Sequence, residues 1–277
     1  MTYPIVLAHG VCRFDVLLKD TLNLDNTDTP ELDNLHYFKG IRTMLKNKGY
    51  VVYHSNVAWA AGLEKRADDL KENLLNILKE SRAEKINIIA HSMGGLDARH
   101  MMFNDRNDGE IHKYVASLTT ISTPHEGSPF ADWGLDNLTS LHSLIQKLGI
   151  DLSALKDLRT DTCKTFNEHQ AVKEFETTCK DTTKFQTYAG KQNFWGVFSG
   201  LKIPFEIIRK TEGENDGMVS VRSARWRDEY FKGTMDKTDH LNEIGWWDPD
   251  QLLANEGPEE LLQRIHNFYA GIAGQLP

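Results

Sequence analysis

Short apolar runs alternate with amphipathic stretches along the first half of the chain. Ile5-Val6-Leu7-Ala8 is apolar throughout and stops at His9-Gly10, which predicts a buried strand entering a turn. Val51 to His54 predicts a second strand. Leu63, Ala67, Leu70, Leu74, Ile77 and Leu78 recur at helical spacing with charges between them. That pattern predicts an amphipathic helix of about 17 residues. Ile86 to Ala90 predicts a third strand, a helix through Leu96 and Met101 follows, and Val115 to Ile121 predicts a fourth strand. This alternation predicts an α/β fold, with a parallel sheet covered on both faces. Near the C-terminus, Pro258, Glu259 and Glu260 open a helix carrying Leu261, Leu262, Ile265, Phe268, Tyr269 and Ile272 on its packing face.

Two stretches interrupt the alternation. Residues 20–35 hold Asp20, Asp25, Asp28, Glu31 and Asp33 among Asn and Thr, and predict a polar surface loop. Residues 127–185 form a longer insertion, with an apolar stripe of Leu135, Leu138, Leu141, Ile145 and Leu148. Such stripes more often pack on a core. The position after a strand-end loop favours a lid over an active site. The expectation is therefore one domain, 1–277, carrying a helical lid insertion at about 127–185.

Ala90-His91-Ser92-Met93-Gly94-Gly95 lies between the third strand and the helix after it. This is the setting of a nucleophile elbow, in which small residues must flank the serine because strand and helix crowd together. Ala90 and Gly94 meet that need. The alternative, Ser92 as a plain helix N-cap, leaves the flanking small residues unexplained. A serine nucleophile needs a base held by a carboxylate, in the chain order serine, acid, histidine. Of the 11 histidines, His240 and His266 lie near the C-terminus. His240 sits in a loop-like segment, whereas His266 falls inside the last helix, so His240 is the expected base. Asp216, at the turn signal Asn215-Asp216-Gly217, is the expected acid, with Glu212, Glu214 and Asp239 as rivals. The oxyanion hole should draw on two backbone N–H groups, from Met93 after the nucleophile and from Val11 after the first strand.

Charge and composition narrow the function. The net charge is -8, from 32 Lys and Arg against 40 Asp and Glu, with no basic stripe, which argues against nucleic acid as a partner. No apolar run is long enough to cross a membrane. The chain runs directly into a strand without a signal-peptide pattern, so the expectation is a cytoplasmic protein, one exported without a classical signal, or a sequence starting at its mature end. Cys12, Cys163 and Cys179 lack metal-site spacing; Cys163 and Cys179 are near enough in sequence to pair, and buried free thiols are the plainer reading.

The segments Tyr3 to Gly10, Ala90 to Gly95, Ser122 to Asp132, Asn215 to Val219 and Asp239 to Glu243 resemble, in order, those of the bacterial true lipases of the Pseudomonas, Burkholderia and Proteus group. The resemblance implies the α/β-hydrolase fold, a triad of Ser92, Asp216 and His240, and an oxyanion hole at Val11 and Met93. His125, in Thr123-Pro124-His125-Glu126, looks like part of the same family motif, and its place before the acid, not after it, argues for a loop-structuring or pocket role over that of the base. Departures accompany the resemblance. Arg13 stands where the group has Gly. Many members hold Ca²⁺ near the catalytic His, yet the matching Asp is Asn242, the matching Gln is Trp246, and no Asp lies between Tyr188 and Asp216. The expectation is therefore no family-type calcium site and no other cofactor. Arg222 stands where secreted members place a second Cys. The expected function is a triacylglycerol lipase or carboxylesterase acting on lipid or other esters, in part at a lipid–water interface. The alternatives are a phospholipase or acyl-transfer enzyme of the same fold, and a non-catalytic binding module, which the complete triad disfavours.

Overall fold

The computed structural model describes residues 2–11, 33–58, 61–137, 152–249, 251 and 257–277. Six parallel strands form one sheet: β1 (Ile5–Ala8), β2 (Val52–His54), β3 (Ile86–His91), β4 (Val115–Ile121), β5 (Lys184–Lys191) and β6 (Phe231–Asp236), in the spatial order β2-β1-β3-β4-β5-β6. The four expected strands are present. The strand period then sorts side chains between two layers. From β1 and β3, Val6, Ala8, Ile86, Ile88 and Ala90 enter one core, while Ile5, Leu7 and Ile89 enter the other.

The first core is closed by α2 (Leu63–Ser81) and α3 (Met93–Asn104), through Leu70, Leu74, Ile77, Ala98, Met101 and Met102. The second is closed by α1 (Ile41–Asn47) and the C-terminal α10 (Pro258–Ala273), through Ile41, Leu45, Leu261, Ile265, Tyr269 and Ile272. No helix among the described residues is long and apolar enough to cross a membrane. The chain moves outward from β1 to β2, then crosses back to β3. That reversal opens a crevice at the carboxyl ends of β1 and β3, where open α/β sheets place their ligands.

The second half departs from the periodicity. β5 and β6 escape it, and the first residues of β5 fall within the span assigned to the insertion. Between β4 and β5 lie α4 (Pro129–Asp136), α5 (Leu152–Asp157), α6 (Thr160–Glu168) and α7 (Gln170–Cys179). α4 and α5 pack with Phe130, Ala131, Ala154 and Leu155 in a cluster of their own, which also holds Val11 and Met93. α7 instead sends Cys179 into the sheet core. Leu135 lies in α4, half-buried; the rest of the apolar stripe, Leu138 to Leu148, lies outside the described residues. The segment from α8 (Lys202–Thr211) through α9 (Val221–Ala224) precedes β6.

Two expectations are corrected or resolved by burial. Asp33 is not a surface residue: it is buried, and its carboxylate accepts from the Thr43 N–H at 2.9 Å and lies 2.9 Å from His54 Nε2. The other acidic residues of the 20–35 stretch lie outside the described residues. Cys163 and Cys179 are free thiols in different clusters, and burial pushes each thiol up to about 12. Cys12 lies outside the described residues. Trp246 and Trp247 pack against the core, with the Lys39 ammonium 4.9 and 4.3 Å from their rings.

His100 of α3 stacks on Phe166 of α6 at 3.8 Å. Burial first, and the Arg99 charge second, push it down to about 3. In the unfolded chain it takes a proton near pH 6.5. The folded state therefore loses stability from this group as pH falls through that value toward 3. His100→Phe, which keeps the stack, should lose less melting temperature than the wild type between pH 7 and 4. Parallel calorimetric curves for the two proteins would refute this.

Candidate active site

Ser92 follows β3 directly and adopts φ 57°, ψ -134°. A left-handed φ in a non-glycine residue costs on the order of 1–3 kcal/mol and must be held by its surroundings. The holding contacts are explicit. The Ser92 N–H donates to Ile121 O at 3.0 Å, and the Thr123 hydroxyl donates to Ser92 O at 2.8 Å. Two glycines make room. A Cβ on Gly94 would sit 2.5 Å from Ala8 O, and one on Gly10 would sit 2.7 Å from Ser92 Cβ. The elbow thus presses the start of α3 against the end of β1, and brings Gly10-Val11 beside Ser92.

The acid and base arrive from the far end of the sheet. Asp216 sits in a tight turn: its own N–H donates to Val219 O at 3.1 Å, and Gly217 takes φ 101°. Asp216 Oδ1 accepts the N–H groups of Met218 (2.8 Å) and Val219 (2.7 Å). Asp216 Oδ2 is left to face His240 Nδ1 at 2.7 Å, and His240 Nε2 lies 2.9 Å from Ser92 Oγ. A carboxylate only accepts, so Nδ1 carries the proton and Nε2 is free to take one from the serine. All three residues are buried. The three residues expected from sequence are therefore brought together in the expected order.

Their rivals go elsewhere. Glu212 accepts from the Ser220 hydroxyl, and Glu214 pairs with Lys191. Asp239 turns away from His240 to accept the N–H groups of Phe198, Leu241 and Asn242. Burial raises its carboxyl to about 7. His266 sits half-buried in α10. His125 is buried, stacks on Trp226 at 4.6 Å and lies 3.0 Å from the Thr120 hydroxyl. Val11 and Met93 both lie beside Ser92, Val11 on the wall of its pocket and Met93 at the first position of α3.

Sequence reasoning passed over the layer behind His240. The His91 ring lies 4.4 Å from the His240 ring, with Nδ1 2.7 Å from the Tyr37 hydroxyl and Nε2 2.8 Å from Glu243 Oε2. The Ser122 hydroxyl donates to Glu243 Oε1 at 2.6 Å. Burial, reinforced by the Asp216 charge, holds Glu243 well above the usual carboxylate range. Burial, and then His240, push His91 well down. A second missed feature is the buried Arg66, which pairs with Asp97 and donates to His9 O at 3.1 Å, bracing the turn that carries Gly10 and Val11. The signals were modest: a histidine and a glutamate inside motifs whose other members drew the attention.

The pocket above Ser92 and His240 is apolar. Phe130, Ala131, Leu155, Leu158, Leu201 and Met218 are among its lining residues. The first three come from α4 and α5, so the insertion supplies part of the wall.

A parallel sheet with a strained serine at its switch point, faced by a histidine and an aspartate, defines the α/β-hydrolase class. The chain belongs to the triacylglycerol lipase family. It is 30% identical to Triacylglycerol lipase 2 of Saccharomyces cerevisiae over 278 aligned residues, 88% of this chain and 80% of that protein. It is 28% identical to a triacylglycerol lipase of Pseudarthrobacter phenanthrenivorans, over 77% of this chain and 69% of that one. Residues 62–189 match the family described as PGAP1-like alpha/beta domain. Among solved structures, the mature form of a Bacillus licheniformis lipase superposes with a TM-score of 0.64 at 23% identity, covering 87% of this chain and 85% of that one. Lipase 1 from Pelosinus fermentans superposes with a TM-score of 0.63 at 19% identity, covering 100% of both chains.

Proposed function

We propose that this protein hydrolyses carboxylic esters of lipids through an acyl-enzyme on Ser92. The observation that carries the reading is the unbroken line Asp216–His240–Ser92 opening into an apolar pocket. Ser92 Oγ attacks the ester carbonyl while His240 Nε2 takes its proton. Asp216 keeps Nδ1 protonated and stabilises the imidazolium. The N–H groups of Val11 and Met93 face the tetrahedral oxyanion. The alcohol leaves with the proton from His240, and water, activated by the same histidine, releases the acid. The apolar lining suits an acyl chain, and the curated relatives are named for triacylglycerols. Within the lipases, the five ordered motifs favour the bacterial Pseudomonas, Burkholderia and Proteus group.

Exposed apolar residues support action at a lipid surface. Trp195, Ile203 and Leu152 are 76%, 54% and 45% exposed. Ile203 lies two residues beyond the pocket-lining Leu201, and Leu152 opens α5, which lines the pocket through Leu155. In this reading Trp195 enters the lipid boundary, a setting that indole rings favour. Trp195→Ala should lower the rate on emulsified triglyceride by about threefold to tenfold, from the lost burial of one ring. Hydrolysis of soluble p-nitrophenyl butyrate should be unchanged. Equal losses on both substrates would remove the interfacial role.

The substrate class is tested by a chain-length series of p-nitrophenyl esters beside emulsified triglyceride and phospholipid. Activity on long-chain esters and emulsion is the expected result. Activity confined to soluble acetyl esters would make this an esterase, and a preference for phospholipid would make it a phospholipase.

A further inference from the structure

The calcium ion that the bacterial group places beside its catalytic histidine does not suit the residues present beside His240. Ca²⁺ takes six to eight oxygens, several of them from carboxylates. Here Asp239, next to His240, and Asp248, on the segment that packs against it, are already engaged. Asp239 Oδ1 accepts from Leu241 N (3.0 Å) and Asn242 N (2.8 Å), and Oδ2 accepts from Phe198 N (2.7 Å). Asp248 accepts from Gln251 N at 2.9 Å, and from Ser199 N and Oγ at 2.8 Å each.

Three oxygens nevertheless converge on one point, and a side-chain nitrogen fills it. Gln251 Nε2 donates to Asp239 Oδ2 at 2.6 Å and Gly196 O at 2.8 Å, and lies 3.4 Å from Asn242 Oδ1. The amide has one workable orientation. Its Oε1 accepts the Asp248 N–H at 3.0 Å and Asn242 Nδ2 at 3.2 Å, so its nitrogen must face the oxygens. Gln251 is buried, and it joins the segment after β5 to the residues on either side of His240.

We propose that Gln251 is a positioning residue whose amide nitrogen stands where a cation would, fixing the His240 loop without a divalent metal. Its kinetic consequence rests on the reading of His240 as the general base; the tie itself does not. Misplacing a catalytic group by about 1 Å can cost on the order of a hundredfold in rate.

The test follows melting temperature and kcat in EDTA and in millimolar CaCl₂. The wild type should be unchanged between the two. Gln251→Ala should melt several degrees lower, and lose about tenfold or more in kcat with little change in KM. Gln251→Glu sets a further carboxylate against Asp239; it should melt low in EDTA and recover with Ca²⁺, a rescue that lost packing alone would not give. The proposal is overturned if EDTA lowers the wild-type melting temperature and Ca²⁺ restores it. It is equally overturned if Gln251→Ala matches the wild type, or if Ca²⁺ leaves Gln251→Glu unrescued. Should Gln251→Ala not fold, the other two proteins decide. Melting behaviour as expected, with no ester hydrolysed by the wild type, would keep the tie and remove the proposed function.

Discussion

Ser92→Ala should yield a folded protein whose ester hydrolysis falls by on the order of a millionfold in kcat. The size follows from the geometry. His240 Nε2 has the Ser92 hydroxyl as its proton source at 2.9 Å, and alanine offers nothing to attack with. The residual rate then comes from the pocket and the oxyanion donors acting on water. Folding should survive because the contacts holding the elbow use backbone atoms: Ser92 N–H to Ile121 O, and Thr123 Oγ1 to Ser92 O. Alanine keeps the Cβ that sits under Gly10, and it bears the same left-handed φ. The melting temperature should therefore match the wild type to within a degree or two, or exceed it slightly, as when a polar catalytic group is removed from a buried site. Turnover of p-nitrophenyl esters, with a fluorophosphonate probe that should label the wild type and not the variant, checks the first part, and thermal unfolding of both proteins checks the second. Undiminished hydrolysis would end the mechanism, whatever the probe shows.

The nucleophile was legible in sequence because its constraints are local. Ala90, Ser92 and Gly94 encode strand, turn and helix within five residues, and the structure adds only the identity of what crowds them, Ala8 O and Gly10. The first four strands were legible for a related reason. β1 and β3 are buried on both faces and read as largely apolar runs; β4, buried on both faces too, shows itself through Val115, Ala116, Leu118 and Ile121 around its Ser and Thr. β5 and β6 were not. β5 buries Gln186 and Thr187 inside the sheet, and β6 is an edge strand with Met235 as its one buried residue. Neither carries the apolar run or the clean alternation that a strand of this kind needs to be seen. Asp33 misled for the opposite reason. Its neighbours are polar, but its own carboxylate is matched to Thr43 and His54, partners 10 and 21 residues away.

The layer of His91, Glu243, Tyr37 and Ser122 illustrates a limit of reading along a chain. Each residue is ordinary in its own segment. The meaning lies in contacts that join the loop after β6 to β3 and to the residues before α1. The same holds for Gln251, twelve residues from Asp239 and beyond the motif that drew attention to His240. Absent acidic residues could be counted in the sequence; the amide that stands in their place is defined only by the fold.

Asp216→Asn should cost about ten-thousandfold in kcat with the fold intact, through a forced change of tautomer. The argument turns on which way the new amide must point. Asp216 Oδ1 accepts two backbone N–H groups, from Met218 and Val219, so that position must remain an oxygen. The NH₂ is thereby driven to the Oδ2 position, 2.7 Å from His240 Nδ1. An amide N–H there donates, so Nδ1 must accept, and the imidazole proton moves to Nε2. That nitrogen, facing Ser92 Oγ, then cannot take the serine proton. The loss should fall on kcat, with KM little changed, since the apolar wall of the pocket is untouched. Asp216→Ala separates this effect from the loss of negative charge: it removes the charge but imposes no tautomer. Its loss should be smaller than that of Asp216→Asn wherever water can fill the vacated space. If the two variants lose activity equally, the charge of Asp216, rather than its control of the proton on Nδ1, is what His240 requires.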